Sequence, residues 1–419
     1  MTMRDMPDST AALDAQLEAM PSARPGRYRP SRAMRLMLRL APSLRLGTLN
    51  IVLPDGSLHR FQGGEPGPEG TLIVHNDRLA RRMFTGGTLG FCEAYLDGDW
   101  SSPNAPPLFE LAIRNEDALA RVLDGQRWMH VLSWIAHAVR PNTKRGSRKN
   151  IAFHYDLGNA FYGTWLDRSM TYSAALWRDR AESLEQAQHN KYSRMCEEIG
   201  LAPGRSVLEI GCGWGGFAET AARDFGARVT AITISREQHD FAKRRIFEAG
   251  LAERVDIRMQ DYRDTDGVFD AVASCEMFEA VGEAYWPTYF RTVRERLADR
   301  GRACLQVITI ADRYFDVYRR KADYIQKYIF PGGMLPSPTA LRGQANAAGL
   351  SVANEHSFGP DYARTLSLWN DRFQDAWPQI AGMGFDTRFK RMWEQYLWYC
   401  EAGFKVGWID VVQSTLIRA

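Results

Sequence analysis

Four glycines within six residues form the stretch of this sequence with the clearest chemical meaning. They lie in Gly211-Cys212-Gly213-Trp214-Gly215-Gly216, directly after the apolar run at residues 207–210. Because glycine has no Cβ, the backbone of such a turn can approach a ligand closely, and the N–H groups of a following helix point at that ligand. The pattern predicts a buried strand, a turn that binds a nucleotide-like ligand, and a helix.

The spacing of Gly211, Gly213 and Gly216 also fits the dinucleotide fingerprint. In that fingerprint an acidic residue about 20 residues further along the chain hydrogen-bonds the ribose of the ligand. The next apolar segment, residues 228–234, ends in hydroxyl side chains, and the first carboxylate, Glu237, falls in the following helix. This disfavours NAD or FAD, and a turn without any ligand is disfavoured because so many glycines weaken local structure. With Glu209 before it, the stretch instead resembles the first motif of S-adenosylmethionine-dependent methyltransferases.

Strand and helix patterns alternate through the carboxy-terminal half of the chain. We predict strands at residues 206–210, 228–234, 255–259, 269–274 and 302–310, with helices at residues 217–225, 236–249 and 285–297. This alternation predicts an α/β fold with a parallel sheet covered on both faces, whose ligands bind at the carboxyl ends of the strands. The candidate site residues at those ends are Gly211, Thr233, Asp261, Tyr262, residues 274–279 and residues 306–308.

The formal net charge of +3 gives no surplus of the kind that nucleic-acid binding requires. Basic residues are nevertheless concentrated between Glu18 and Asp55, where no acidic residue occurs and seven arginines do. Such a cluster suits an anionic membrane surface, but a solvated tail over residues 1–30 is an equally good interpretation. The arginines are Arg24, Arg27, Arg29, Arg32, Arg35, Arg39 and Arg45.

The six cysteines form no close pairs, which indicates a reduced, cytoplasmic setting. Neither they nor the eight histidines have metal-ligand spacing, so we predict no metal site. The longest apolar run, residues 128–139, is too short to span a bilayer, and the acidic residues near the start of the chain exclude a secretory signal. Any membrane contact should therefore be peripheral.

The amino-terminal half predicts a smaller α+β domain over residues 34–140, after a basic tail at residues 1–33. A short amphipathic helix at residues 32–46, with Met34 and Leu38 on its apolar side, suits either a membrane or the core of its own domain. Short strands follow at residues 49–52, 57–61 and 71–75, with helices near residues 77–85 and 105–139. A basic, breaker-rich linker at residues 140–149 marks the boundary to the second domain, residues 141–419.

Within the second domain, residues 312–338 form an insertion rich in aromatic and basic residues with helical spacing. Such a segment suits the role of a lid that covers the pocket, and its cations beside aromatic rings suit binding to a lipid with an anionic head group. Ordinary packing in the protein core is the alternative. An aromatic-rich helix at residues 389–404 and a closing strand at residues 407–417 complete the domain.

Six motifs, in order along the chain, resemble those of cyclopropane-fatty-acyl-phospholipid synthases and their mycolic-acid relatives. The resemblance runs from about residue 151 to the end of the chain, and residues 34–139 resemble the amino-terminal domain of the longer family members. The motifs are His154-Tyr155-Asp156, Thr171-Tyr172-Ser173, Glu209–Gly215, Thr233-Ile234-Ser235 with Gln238, Phe278–Gly282 and Tyr396-Leu397. The resemblance implies a Rossmann-like class I methyltransferase domain with a seven-stranded, mostly parallel sheet.

By the same resemblance, a set of hydroxyl, amide, aromatic and glycine residues would bind S-adenosylmethionine. Hydroxyls and an amide suit the polar atoms of ribose and adenine, and aromatic rings suit the adenine or the sulfonium. These residues are Tyr172, Ser173, Gly211, Gly213, Thr233, Ile234, Gln238 and Tyr262.

Family members that form cyclopropanes commonly hold a bicarbonate ion with Cys, Glu, His and Tyr side chains. Glu279 and Tyr396 match that pattern, but Ala174 stands where the Cys is usual and Gln306 where the His is usual. The loss of two contacts should weaken an anion site, so bicarbonate binding is doubtful. We predict Glu279, Tyr396 and Gln306 as the catalytic group, with three alternatives: Glu279 acts as the base, bicarbonate still binds, or the cation loses a different proton.

The resemblance implies a methyltransferase that modifies the double bond of unsaturated acyl chains in phospholipids. The product would be a cyclopropane, a methyl-branched chain or a methylated diene. Two alternatives stay open: a methyltransferase for a soluble small molecule, and a lipid-binding protein on a decayed methyltransferase fold. We expect a cytoplasmic protein, peripheral at the inner face of the membrane, that binds anionic lipid, binds no nucleic acid and can form a homodimer.

Overall fold

The computed structural model describes residues 28–116, 157–320 and 323–419. The chain forms two compact units, Met1–Met129 with Thr387–Ala402, and His130–Asp386 with Gly403–Ala419. The predictions for the tail before residue 28, for the helix beyond residue 116, for the linker at residues 140–149 and for the His154 motif lie outside the described residues.

The first unit contains a four-stranded sheet with the order β2-β1-β3-β4. Gly56, with a φ of 83°, turns the chain between the antiparallel strands β1 and β2, while β3 runs parallel to β1. The elements are α1 (Arg32–Leu40), β1 (Leu46–Val52), β2 (Leu58–Gln62), β3 (Glu65–Val74), α2 (Arg78–Leu96), β4 (Trp100–Ser101) and α3 (Ala105–Arg114).

Helix α1 has its apolar side turned into its own unit. Ser31 caps the helix by accepting the Met34 N–H at 3.1 Å, Met34 and Met37 are buried, and the helix packs on α2. Its basic side chains are exposed to solvent. Of the two alternatives for this segment, the core-facing helix is the one observed.

The second unit is built on a seven-stranded sheet with the order β10-β11-β9-β8-β5-β6-β7. Strands β5 to β9 pair in parallel, and β11 pairs antiparallel with both β9 and β10. The strands are β5 (Ser206–Ile210), β6 (Arg228–Thr233), β7 (Val255–Met259), β8 (Phe269–Cys275), β9 (Leu297–Ile310), β10 (Leu350–Ser357) and β11 (Ile409–Arg418). The predicted fold, a mostly parallel seven-stranded sheet with a smaller α+β unit, is confirmed.

Helices cover both faces of this sheet, and two apolar cores fill the space between helices and strands. The helices of this unit are α4 (Asn159–Trp165), α5 (Leu184–Glu198), α6 (Gly216–Asp224), α7 (Arg236–Glu248), α8 (Trp286–Arg296), α9 (Asp312–Tyr318), α10 (Tyr324–Tyr328), α11 (Pro338–Ala347) and α12 (Gly359–Gly382), and the last helix of the chain is α13 (Thr387–Lys405). Among residues 28–116, 157–320 and 323–419, every helix is too short or too polar to be a transmembrane span.

Most of α13 departs from the predicted domain division. Its residues up to Ala402 group with the first unit, although we predicted residues 141–419 as one domain. Within that unit, the Tyr95 hydroxyl donates a hydrogen bond of 2.6 Å to the Glu394 carboxylate, and the Tyr95 ring meets the Trp398 ring edge-on. These contacts join residues about 300 positions apart in the sequence.

Candidate active site

The glycine turn joins β5 to α6 in the predicted conformation. Gly211, Gly213 and Gly215 have φ values of 84°, 51° and 85°, which side chains other than glycine rarely adopt. A Cβ on Gly211 would lie 2.7 Å from Cγ of Met277, so the turn also has no room for a side chain there. The backbone N–H of Gly211 donates to the Ile232 carbonyl at 3.0 Å, which fixes the turn against the end of β6.

Glu209, the last carboxylate before this turn, is buried in the sheet. Burial raises its pKa to about 8, against the attraction of the Arg245 and Lys191 charges. One of its oxygens, Oε2, has no hydrogen-bond partner within the described residues. A buried acceptor without a donor is costly, so this oxygen is available to a donor on a bound molecule.

The predicted polar residues after β6 lie together at the start of α7. The Thr233 hydroxyl donates to Oε1 of Gln238 at 2.9 Å, and Ser235 caps the helix by accepting the Gln238 N–H at 3.4 Å. Gln238 is 6% exposed, so its amide is held beside the sheet edge instead of in bulk solvent. Ile234 follows Thr233 directly and completes this part of the predicted site.

After β7, the two candidate residues have different roles. Asp261 is buried, and its carboxylate forms a two-pronged ion pair with Arg263 at 2.8 and 2.7 Å. Tyr262 is 9% exposed and its hydroxyl has no hydrogen-bond partner within the described residues, so that hydroxyl can serve a ligand. The Gln260 N–H donates to the Thr233 carbonyl at 3.0 Å, which keeps this segment beside the end of β6.

Tyr172 belongs to a cluster of aromatic rings in the second unit. Its ring centroid lies 5.3 to 5.5 Å from those of Tyr162, Trp165 and Trp369. Tyr162 in turn lies 5.1 Å from Trp214, which is part of the glycine turn. The cluster therefore continues the wall of the cofactor cradle as an apolar, aromatic surface.

The insertion at residues 312–338 lies beside this cluster and beside Glu279. The Phe330 ring stacks near Tyr172 at 6.4 Å, and the Met334 N–H donates to the Glu279 carbonyl at 2.8 Å. The described parts of the insertion include two short helices, α9 and α10, in place of one long helix. Its role as a lid stays a prediction.

Glu279 lies in a short 3₁₀ segment after β8, with its carboxyl group turned to the end of β9. Its Oε1 accepts the Ile308 backbone N–H at 2.5 Å, and its Oε2 is buried without a partner among the described residues. Burial raises its pKa to about 8, and the negative charge of Glu276 adds to the shift. At neutral pH, Glu279 is thus poised to hold or release a proton.

Of the other two predicted catalytic residues, Gln306 belongs to a different group of side chains from Glu279. Gln306 donates from Nε2 to the carboxylate of Glu276 at 2.7 Å and to the Ser173 hydroxyl at 3.1 Å. Tyr396 lies on α13 in the first unit, where its ring meets that of Trp393 edge-on at 5.4 Å. The catalytic role of Tyr396 stays a prediction.

Three polar residues near Ser173 were given no role of their own from the sequence: Lys191, Tyr362 and Glu276, although Glu276 falls within the candidate range 274–279. The Ser173 hydroxyl donates to Glu276 at 2.8 Å and accepts from Nζ of Lys191 at 3.0 Å, while the Tyr362 hydroxyl donates to Glu276 at 2.8 Å. Lys191 is fully buried, and burial lowers its pKa. The position of Glu276 just after a predicted strand was the one available signal, because Lys191 and Tyr362 lie in helices without any motif.

The turn, the Thr233 and Gln238 pair, Tyr262 and Ser173 line adjoining strand ends, and their chemistry fits S-adenosylmethionine. The closely packed glycine backbone suits a nucleoside with an amino-acid tail, and the Tyr262 hydroxyl and Glu209 oxygen are buried polar atoms that such a ligand can satisfy. Among the described residues, no group of three or more His, Cys, Asp or Glu side chains is arranged to hold a metal ion.

Comparison with known proteins agrees with this assignment. The family model for mycolic acid cyclopropane synthetase matches residues 142–414. A tuberculostearic acid methyltransferase of Mycobacterium tuberculosis is 39% identical over 400 residues, covering 92% of this chain and 91% of the relative. The cyclopropane-fatty-acyl-phospholipid synthase of Escherichia coli is 38% identical over 351 residues, covering 83% of this chain and 87% of the relative.

Solved structures give the same result for the second unit's fold. The cyclopropane synthase MmaA2 from Mycobacterium tuberculosis superposes with a TM-score of 0.61 at 28% identity, covering 66% of this chain and 99% of that chain. The mycolic acid cyclopropane synthase CmaA1, solved with S-adenosylhomocysteine (SAH) and CTAB, has a TM-score of 0.61 at 27% identity, covering 67% and 99%. The chain therefore belongs to the mycolic acid cyclopropane synthetase family and is an S-adenosylmethionine-dependent methyltransferase.

Proposed function

We propose that this enzyme transfers a methyl group to a double-bond carbon of an unsaturated fatty acyl chain while that chain is part of a phospholipid. The observation that carries this proposal is the aromatic cluster joined to the glycine turn. An alkene is a neutral, weak nucleophile, and its methylation leaves a carbocation. A site for this reaction needs an apolar wall that excludes water and groups that stabilise positive charge.

The aromatic cluster supplies the apolar wall that excludes water and also contributes to the stabilisation of positive charge. Trp369 is fully buried, and its ring centroid lies 5.3 Å from that of Tyr172, the residue before Ser173. The faces of aromatic rings attract cations and offer no basic atom that would compete with the alkene. A site for a soluble amine or phenol would need none of this apolar surface beside the methyl donor.

The carboxyl groups after β8 meet the remaining need. Glu276 and Glu279 both lie in the segment that follows this strand, and a carboxylate there stabilises a cation and can accept its proton, while Glu279, with its raised pKa, holds a proton at neutral pH. S-adenosylmethionine supplies an electrophilic methyl group when bound, and Gly211, Thr233 and Tyr262 are the residues that would hold it. The relatives' names support the substrate class, since they refer to tuberculostearic acid and to fatty-acyl phospholipids.

We also propose that the enzyme works in the cytoplasm, peripherally at the inner face of the membrane. An acyl chain within a phospholipid has to leave the bilayer to reach a buried site, so the protein must approach the lipid surface. The exposed arginines of α1, Arg32, Arg35 and Arg39, support an electrostatic approach to anionic lipid.

The test is expression in a bacterial host that lacks its own cyclopropane synthase, followed by mass spectrometry of the extracted lipids. We expect phospholipid acyl chains heavier by one methylene unit, and their fragmentation separates cyclopropane, methyl-branched and diene products. Unchanged lipids together with S-adenosylmethionine binding in calorimetry would point to a soluble substrate. Unchanged lipids without such binding would point to a decayed lipid-binding protein.

A further inference from the structure

Glu276 holds its carboxylate in a ring of hydrogen-bond donors at the end of β8. Its Oε1 accepts from the Ser173 hydroxyl at 2.8 Å, the Ala174 backbone N–H at 3.0 Å and the Gln306 amide at 2.7 Å. Its Oε2 accepts from the Tyr362 hydroxyl at 2.8 Å. Such an array stabilises a charged carboxylate and fixes its position.

The orientation of the Gln306 amide follows from its neighbours. Arg194 has only donors, and it donates to Oε1 of Gln413 at 3.0 Å. Gln413 therefore presents its NH₂ group to Oε1 of Gln306 at 2.9 Å, which leaves the NH₂ group of Gln306 for Glu276. The chain of bonds has one consistent direction, and it ends on the Glu276 carboxylate.

The backbone of Glu276 is in an unusual conformation that serves this contact. Its φ is 49°, and among the described residues the only other non-glycine residue with a positive φ is Met170. Left-handed backbone at a glutamate is strained and persists only where surrounding contacts require it. The Glu276 N–H donates to the Gln306 carbonyl at 2.8 Å, so backbone and side chain are both fixed to the same neighbour.

The two positions at which this sequence departs from the bicarbonate-binding pattern meet at this one carboxylate. Ala174 contributes its N–H and Gln306 its amide, and both bind Oε1 of Glu276. The donors that an anion would use there are already occupied by a side chain with the same planar O–C–O group. Bicarbonate does not fit in the same place, because the Ala174 N–H and the Gln306 amide already donate to Glu276 and the ion would need those donors.

We propose that the Glu276 carboxylate takes the place of bicarbonate and is the group that accepts the proton in this enzyme. This inference rests on the proposed function. Glu276 is partly exposed, so it can meet a ligand, and it contacts Ser173, the residue that follows Tyr172 of the aromatic cluster.

The chemical step balances without any further reactant. The π electrons of the alkene form the new bond to the methyl carbon as the S–CH₃ bond breaks, and the other alkene carbon becomes a cation. If a C–H bond of the added methyl group then breaks, its electron pair joins the methyl carbon to the cationic carbon and closes a cyclopropane. If a C–H bond on the carbon next to the cation breaks instead, its electron pair forms a new C=C bond. In either case the proton goes to a carboxylate oxygen of Glu276.

The experiment compares the full-length protein with Glu276→Gln and Glu276→Gly on vesicles of unsaturated phosphatidylglycerol, in carbonate-free buffer and with added bicarbonate or formate. We expect the wild-type kcat to be the same with and without bicarbonate. Glu276→Gln keeps the shape but cannot accept the proton, so its kcat should fall at least 100-fold. Glu276→Gly suits the left-handed backbone and opens the anion site, so bicarbonate or formate should restore part of its kcat in a saturable way.

Glu283→Gln is the matched control, because Glu283 is in the same segment and forms only a surface ion pair with Arg319 among the described residues. It should keep the wild-type kcat. Calorimetry should give the same affinity for S-adenosylmethionine in all variants, and melting temperatures should show that each is folded.

Three results would overturn the inference. The first is a wild-type enzyme that methylates lipid only when bicarbonate is present. The second is a Glu276→Gln variant that retains the wild-type kcat. Both results would leave the proposed function intact. A wild-type enzyme that methylates no lipid under any of these conditions refutes the proposed function, and the inference with it.

Discussion

The backbone N–H of Ile308 donates a hydrogen bond to one carboxylate oxygen of Glu279, while the other oxygen is buried without a partner among the described residues. A carboxyl group held in this way cannot exchange freely with solvent. With its pKa raised to about 8 by burial and by Glu276, it is suited to a later proton-transfer step, after Glu276 has accepted the proton from the substrate.

We therefore predict that Glu279 is needed for turnover whichever product forms. Glu279→Gln keeps the size and the neutral charge of the protonated residue but cannot take part in proton transfer. We expect kcat to fall by about 10- to 100-fold, with unchanged affinity for S-adenosylmethionine in calorimetry. Full activity of this variant with normal cofactor binding would refute the role.

Glu209 and Glu279, two glutamates with raised pKa values, predict how stability depends on pH. Both pKa values are raised from 4.5 to about 8 in the folded protein. Between these pH values the unfolded chain releases the two protons and the folded protein keeps them, so the free energy of unfolding should fall as the pH rises. The slope is at most about 1.4 kcal/mol per pH unit for each group.

The measurement is urea unfolding of the cofactor-free protein at pH values from 5 to 8. Glu209→Gln and Glu279→Gln should each reduce the slope of unfolding free energy against pH, because the glutamine does not titrate. A slope that stays the same in both variants would show that other groups determine it.

The glycine turn predicts a selective loss of cofactor binding. Gly211→Ala would place a Cβ 2.7 Å from Met277 at a φ of 84°, so the turn must shift to accommodate it. We expect the Kd for S-adenosylmethionine to rise at least 10-fold in calorimetry. A tenfold rise in Kd corresponds to a loss of roughly 1.4 kcal/mol of binding free energy.

Gly343→Ala is the control for this change. Gly343 lies in α11, and a Cβ there would meet nothing within 4 Å. The variant should bind the cofactor normally and gain up to about 1 kcal/mol of stability from its higher helix propensity. Equal Kd values for both variants would contradict the proposed role of the turn.

Local patterns were sufficient to predict most of the central sheet. The strands around Val207 and Val255 begin and end where predicted, because the first is a short, mostly apolar run bounded by turns and the second alternates apolar and charged residues. The edge strand β10 was missed, since residues such as Asn354 and Glu355 give it no apolar period. The first residues of strand β3 were also missed, because Pro66 and Pro68 lie within them and proline argues against a strand in a sequence-based prediction.

The residues of the site could be predicted only where they belong to a recognisable sequence motif or follow a predicted strand. The glycine turn and the residues after β6 and β7 follow from strand order, because parallel strands present their carboxyl ends along one edge. The donors around Glu276 come from separate parts of the chain, and no short pattern links Ser173 to Gln306 or Tyr362. The grouping of Glu394 with the first unit likewise depends on contacts that local sequence does not encode.

Membrane binding should be electrostatic and should not involve insertion of α1, because Met34 and Met37 are buried in the protein. We predict binding to anionic vesicles that weakens as salt is added, and replacement of Arg32, Arg35 and Arg39 by glutamine should reduce it. At about 1 kcal/mol for each arginine, the triple variant should bind on the order of 100-fold more weakly in vesicle sedimentation.

A second triple variant separates the position of these charges from their number. Glutamine at the exposed residues Arg228, Arg258 and Arg291 removes the same charge from the second unit. If α1 provides the membrane contact, this control should bind anionic vesicles much as the wild type does, since screened charges act only within about 10 Å in 0.1 M salt. Equal losses in the two variants would mean that only net charge matters, and equal binding to neutral vesicles at any ionic strength would rule out the electrostatic mechanism.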